Sequence, residues 1–145
     1  MIWYLQIEEL YADPVRFIVR KVGKLLINYH IVFCPRYRRK IFDIPGVEDK
    51  FKQLTQAECT RRNIDILAME CHVDHVHMFV SVYPQLSIPD MMKYIKGATS
   101  HALREEFAQL SLMPSLWTRS YFISTAGNVS AETIEWYVRT QKTRS

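Results

Sequence analysis

Cys71-His72-Val73-Asp74-His75-Val76-His77-Met78-Phe79-Val80 is the stretch on which the reading of the fold turns. Side chains alternate along a strand, so His75 and His77 share one face while Val76, Met78 and Val80 face the other way. At about 3.3 Å of rise per residue the two backbones stand roughly 7 Å apart, close enough for both rings to converge on one ion. Neutral imidazole is the commonest protein metal ligand, which makes His-hydrophobic-His on a strand two-thirds of an open metal site. The plainer alternative is a pair of histidines facing solvent from a half-buried strand.

Before this strand, Ile64 to Glu70 reads as another, and the interval is short enough to make the two an antiparallel hairpin. Further upstream, Leu25 to Cys34 is a first strand rich in Ile, Val, Tyr and Phe that stops at Pro35. Between Asp43 and Asn63, apolar Val47, Phe51, Leu54 and Ala57 follow helical spacing, and Lys50, Lys52, Glu58 and Arg61 lie opposite. Ser87-Ile88-Pro89-Asp90 has the hydroxyl cap, early proline and acid of a helix start. That second helix runs to about Phe107, with Met91, Ile95, Ala98, Ala102 and Leu103 as its buried stripe. Gly97 within it costs about 1 kcal/mol against alanine, which suggests close approach by another backbone. Trp117 to Thr125 reads as a fourth strand, ended by Gly127-Asn128.

The order strand, helix, strand, strand, helix, strand is the ferredoxin-like split β-α-β arrangement of the α+β class. It has an antiparallel sheet with both helices on one face, here followed by a C-terminal helix. That last helix, Ser130 to Gln141, places Tyr137 and Gln141 four residues apart, their Cβ atoms about 5–6 Å from each other on one side. A helix tyrosine is ordinarily a core residue. Beside the histidine pair, however, a phenol and an amide on one face suggest a nucleophile and a third, oxygen-donating metal ligand.

With 145 residues the chain fits one domain with a respectable core, residues 1–23 forming an N-terminal extension of unknown role. No apolar run reaches membrane-spanning length and no charged-then-apolar signal opens the chain, so a soluble cytoplasmic protein is expected. Three cysteines, Cys34, Cys59 and Cys71, with no Cys-x-x-Cys, argue against a disulfide scaffold or thiolate zinc site and read as small apolar residues. A net charge of +4 permits a polyanionic partner without requiring one. Its clustering is more informative: Arg36, Arg38, Arg39 and Lys40 fall within five residues around Tyr37, a pattern suited to holding a sugar-phosphate backbone and stacking a base. A solvated loop is the competing reading. Lys93, Lys96 and Arg119 are further cations available to DNA.

The ordered set Asp74-His75-Val76-His77, Trp117-Thr118-Arg119-Ser120-Tyr121 and Tyr137-Val138-Arg139-Thr140-Gln141 resembles the His-hydrophobic-His single-tyrosine transposases of the insertion-sequence 200/605 family, from about Tyr29 to Gln141. Val73 stands where that family usually has proline, and Met78-Phe79 where it has Leu-Leu; neither change removes a reactive group. Lys96-Gly97 resembles a pair found in the family, and His30 coincides with a common histidine. The resemblance implies metal-dependent cleavage and rejoining of single-stranded DNA at element ends through a 5′-phosphotyrosine on Tyr137. It also implies His75, His77 and Gln141 as ligands of Mg²⁺ or Mn²⁺, recognition of DNA hairpins, a homodimer and no nucleotide cofactor. By ligand preference alone, mixed nitrogen and oxygen donors suit Mn²⁺ or Zn²⁺. The alternatives are a noncatalytic nucleic-acid-binding module, a relative of replication or conjugation initiators, and a zinc-storing or structural site.

Overall fold

A computed structural model describes residues 26–125 of the chain. The N-terminal extension 1–23 and the C-terminal helix with Tyr137 and Gln141 lie outside the described residues. Four strands and two long helices follow in the expected order: β1 (Ile27–Phe33), α1 (Val47–Arg61), β2 (Asp65–Cys71), β3 (Val76–Val82), α2 (Ile88–Glu106) and β4 (Phe122–Thr125). The strands line up β2-β3-β1-β4 and every pairing is antiparallel.

β3 sits inside the sheet and is buried along its whole length on both faces. Val76, Met78, Val80 and Val82 join Ile31 and Phe33 of β1 in the core, together with Phe51 of α1 and Met91, Met92, Ile95 and Leu103 of α2. The opposite parity carries His77, Phe79 and Ser81 on β3, and His30, paired with Phe79, on β1. Both the core and the histidine face thus follow from the two-residue period of one strand.

Local sequence sets the helix ends. Ser87 Oγ accepts the Asp90 backbone N–H at 3.2 Å, as the capping pattern requires. α1 closes in a Schellman arrangement: Asn63 takes the left-handed conformation (φ 59°), its N–H and that of Ile64 returning to the Thr60 and Cys59 carbonyls. Ile64 then drops into the core.

Several expectations need correction. The histidine strand does not run straight from Cys71: residues 72–75 form the turn between β2 and β3, and β3 begins at Val76. The fourth strand is shorter than expected, because Trp117 makes only an isolated bridge with Pro35 while regular pairing starts at Phe122. The α1 stripe is Val47, Phe51, Thr55 and Cys59, a strict four-residue row that leaves Ala57 exposed. On α2, Thr99 and Met92 are buried where Ala98 and Ala102 were expected. A Cβ added to Gly97 would meet nothing within 4 Å, so among the described residues no backbone presses on it. Cys59 and Cys71 are buried as expected, with Cys34 only partly so.

An aromatic cluster locks the connection before β4 to the sheet. The Trp117 ring lies 4.9 Å from Phe33 and 5.5 Å from Phe51. Its indole N–H donates to Thr99 Oγ1 at 2.9 Å, and that hydroxyl donates to the Ile95 carbonyl. Thr55 is equally buried, yet its hydroxyl has no hydrogen-bond partner among the described residues. The two threonines should therefore respond oppositely to removal of the hydroxyl. Thr99→Val strands a buried indole donor and should cost about 1–3 kcal/mol. Thr55→Val removes only an unsatisfied group and should leave stability unchanged or raised. Urea denaturation of both variants checks this, and equal losses would contradict it.

Candidate metal centre and nucleic-acid interface

The β2–β3 turn brings three imidazoles together. His72, His75 and His77 each offer one ring nitrogen, and these atoms all lie within 4.8 Å of one another. The His75 and His77 rings are 5.0 Å apart and nearly perpendicular, whereas His72 and His75 stack at 4.3 Å. A backbone bond from the His72 N–H to the His75 carbonyl, 2.8 Å, closes the turn. The expected pair is therefore brought together, and His72 is an addition. A straight strand puts residues 72 and 75 on opposite faces; a turn between them cancels that parity.

Two further groups orient the rings. Asp74 Oδ1 lies 2.8 Å from His75 Nδ1, so the ring donates there and leaves the Nε2 lone pair for an ion, the carboxylate–histidine arrangement common around metals. The bond to His75, supported by the Arg38 guanidinium at 3.2 Å, holds the Asp74 carboxyl below its usual pKa. Deep in the sheet, His30 Nε2 approaches His77 Nδ1 at 3.3 Å. For His77 to present its Nε2 lone pair, its Nδ1–H must donate to His30. His30, Asp74 and His72 were all visible in the sequence without an assigned role. The signal missed was an acidic residue and a third histidine clustered within four positions of the pair.

The cations expected to meet DNA separate into two groups. Arg36, Lys93, Lys96 and Arg119 line an open cleft of about 560 Å³ between α2 and the 115–121 connection, floored in part by Trp117 and Tyr121. Lys96 Nζ donates to the Thr118 and Ser120 carbonyls at 2.7 and 3.1 Å. Burial lowers its pKa. Arg36 donates to Ser115 Oγ, while Lys93 and Arg119 are exposed. Arg38 instead borders a second cleft of about 590 Å³ shared with His72, Asp74 and His75. Arg39 and Lys40 stand exposed on the same turn. Tyr37, between Arg36 and Arg38, is 80% exposed, with Tyr37 and Arg38 both left-handed (φ 58° and 50°), a conformation uncommon for residues other than glycine. Tyr137 and Gln141 lie outside the described residues.

Burial holds His30 and His77 neutral, pushing their pKa values down to about 4 and about 3. In the unfolded chain an imidazole titrates near 6.5, so below that pH the unfolded state binds more protons than the folded one. Stability should thus be lost as pH falls from about 6.5 toward 4, by up to about 1.4 kcal/mol per pH unit for each ring, and should not vary on this account above 7. Thermal melting in chelator across pH 4–8 measures this. His30→Gln should flatten the slope, and a melting temperature constant between pH 7 and 5 in the unmodified chain would refute it.

Residues 24–141 match the family model described as "Transposase IS200 like". The transposase for insertion sequence element IS200 of Salmonella typhimurium is 34% identical over 117 residues, 79% of this chain and 76% of its own length. The ISDra2 transposase TnpA of Deinococcus radiodurans is 30% identical over 118 residues, covering 79% of this chain and 84% of that protein. Among solved structures, a putative transposase from Deinococcus radiodurans superposes with a TM-score of 0.63 at 27% identity, over 80% of this chain and 91% of that one. The REP-associated tyrosine transposase bound to a REP hairpin has a TM-score of 0.58 at 13% identity, over 77% and 62%, a likeness of fold alone. Fold, histidine site and sequence relatives agree: the chain belongs to the IS200-like transposase family.

Proposed function

We propose that this transposase cleaves and rejoins single-stranded DNA at the ends of its element through a covalent 5′-phosphotyrosine on Tyr137, with a divalent ion held by His75, His77 and Gln141. The observation that carries the proposal is the imidazole cluster at the start of β3, with Asp74 fixing one ring, on the scaffold of a transposase family. The donor set fits a divalent cation: the rings converge, and burial keeps His77 neutral. When bound, the ion would supply positive charge to the scissile phosphate and hold it in line.

The chain's own residues do the rest. A phenol has a pKa of about 10, so the Tyr137 oxygen needs its proton offset before attack. That oxygen forms a bond to phosphorus as the bond to the 3′ oxygen breaks, and the departing oxygen takes up a proton to become a free 3′-hydroxyl. The phosphotyrosine conserves the bond for rejoining to another 3′-hydroxyl, which removes any need for a nucleotide cofactor. Because Tyr137 and Gln141 are four apart, one helix would deliver nucleophile and ligand together. The proposal extends to a homodimer acting in the cytoplasm, with the whole chain as one transposase domain.

The DNA contacts proposed are Arg36, Lys93, Lys96 and Arg119 along the α2 cleft, with Arg38, Arg39 and Lys40 beside the histidines. Clustered cations suit phosphate, and the hairpin bound by the structurally similar REP-associated transposase supports hairpin ends as the ligand. Among the described residues no helix is long and apolar enough to cross a membrane.

Labelled hairpin DNA incubated with the protein and Mn²⁺ should yield a covalent adduct that Tyr137→Phe abolishes and His75→Ala reduces at least about a hundredfold with hairpin binding intact. Adduct of equal yield from Tyr137→Phe would sink the assignment, and binding without any adduct would favour the noncatalytic module. The cleft has its own test. Gly97→Ala has room for its methyl and should stabilise the helix by about 0.5–1 kcal/mol while weakening hairpin binding. Unchanged affinity in a more stable variant would remove the cleft from the DNA path.

A further inference from the structure

We infer that Tyr37 is a stacking platform for one unpaired nucleobase of the DNA, in the single strand that runs from the hairpin stem toward the scissile phosphate. This rests on the DNA path proposed above and deepens it by naming what holds the strand between the two cation-lined clefts.

Three observations carry it. The first is position. Arg36 lines the α2 cleft and Arg38 lines the cleft of His72, Asp74 and His75, so the residue between them stands on the ridge that separates the two. Both flanks of that ridge are fastened. The Arg36 backbone N–H donates to the Leu116 carbonyl at 2.9 Å and its guanidinium to Ser115 Oγ at 3.0 Å, which ties it to the wall of the first cleft. On the other side Arg38 pairs with Asp74 at 3.2 Å, and the Phe42 N–H donates to the Val73 carbonyl at 3.2 Å. A strand leaving one cleft for the other therefore crosses Tyr37.

The second is backbone. Tyr37 and Arg38 are consecutive left-handed residues, where glycine or asparagine would be the unstrained choice. Strain of this kind persists where surrounding contacts over-determine it, and it collects at ligand clamps. Here it accompanies an aromatic residue that is 80% exposed and takes no part in the core.

The third is chemistry. The guanidiniums of Arg36 and Arg39 lie 5.8 and 6.0 Å from the Tyr37 ring centroid, and Lys40 follows, exposed. An aromatic face flanked by cations suits a single strand, the ring stacking on a base while the cations hold the neighbouring phosphates. A base inside the stem already has both faces covered, so the platform acts on an unpaired nucleotide. Stacking there fixes the register in which the next phosphate enters the histidine cleft. Tyr37 is thus a positioning residue.

Fluorescence anisotropy with an element-end hairpin, with and without its single-stranded flank, tests this. Using Tyr137→Phe protein with Mn²⁺ as the parent keeps binding apart from reaction. Tyr37→Gly relieves the strained backbone, so its melting temperature should equal or exceed the parent's. It should bind the flanked hairpin about tenfold more weakly and the bare stem within about twofold. Tyr37→Trp, which keeps a stacking face, should bind both within about threefold of the parent. One abasic nucleotide at a single flank position should weaken the parent by the same factor as Tyr37→Gly. Combined with Tyr37→Gly it should add nothing, because the losses from two partners of one contact do not sum. Additive losses at every flank position would overturn the inference. So would a parent indifferent to every abasic position, or Tyr37→Gly losing stem and flanked hairpin alike. A platform found in this way without any Tyr137 adduct in the unmodified chain would count against the reaction and not against Tyr37, and an adduct without a platform would count the other way.

Discussion

β3 must satisfy two environments at once, and the rest of the molecule follows from that constraint. One parity of its side chains fills the core under the two helices with valine and methionine. The other parity buries His77 and Phe79 against His30 across the strand pair. A histidine in such a position is kept neutral by desolvation, and a neutral imidazole keeps the lone pair that a metal ion would need. The burial that builds the sheet therefore also prepares the site.

The turn at 72–75 sets two more imidazoles beside the one that the strand carries. Its backbone bond from His72 to His75 reverses the chain within four residues, and the three ring-bearing positions end on one side as a result. Asp74 then acts in two directions, accepting from His75 and pairing with Arg38. A basic turn that follows β1 and a histidine turn that precedes β3 are thus tied together by one carboxylate. Arg38 and the His75 ring therefore share one carboxylate, so a change at either is felt at the other.

On the helical side, α2 divides its labour. Its buried face carries Met91, Ile95, Thr99 and Leu103 to the core, and Thr99 anchors Trp117 there. The adjoining face presents Lys93, Lys96 and the bare Cα of Gly97 to a cleft closed by the 115–121 connection. Lys96 illustrates how a cation read as a phosphate contact also has a structural duty, because its ammonium holds two carbonyls of that connection. The ring of Tyr121 lies 5.2 Å from the same ammonium. A charge there shapes the cleft before any ligand arrives.

The order of elements, the antiparallel hairpin, the Ser87 cap and the His75–His77 pair were all legible in the chain, because each is a short-range pattern: alternation, helical spacing, a capping hydroxyl. The family relation was legible too, from about Tyr29 to Gln141, carried by an ordered set of motifs, and the family match extends it to residues 24–141. Folding alone decided the rest. Whether residues 72–75 continue a strand or reverse it depends on which side of β3 the core claims, and only that choice brings His72 beside His75. The stripe of α1 moved to Thr55 and Cys59 because packing against the sheet sets the helix rotation more finely than composition does. Contacts between residues far apart in sequence, such as His30 with His77 and Arg38 with Asp74, belong to tertiary structure, since no local periodicity encodes them.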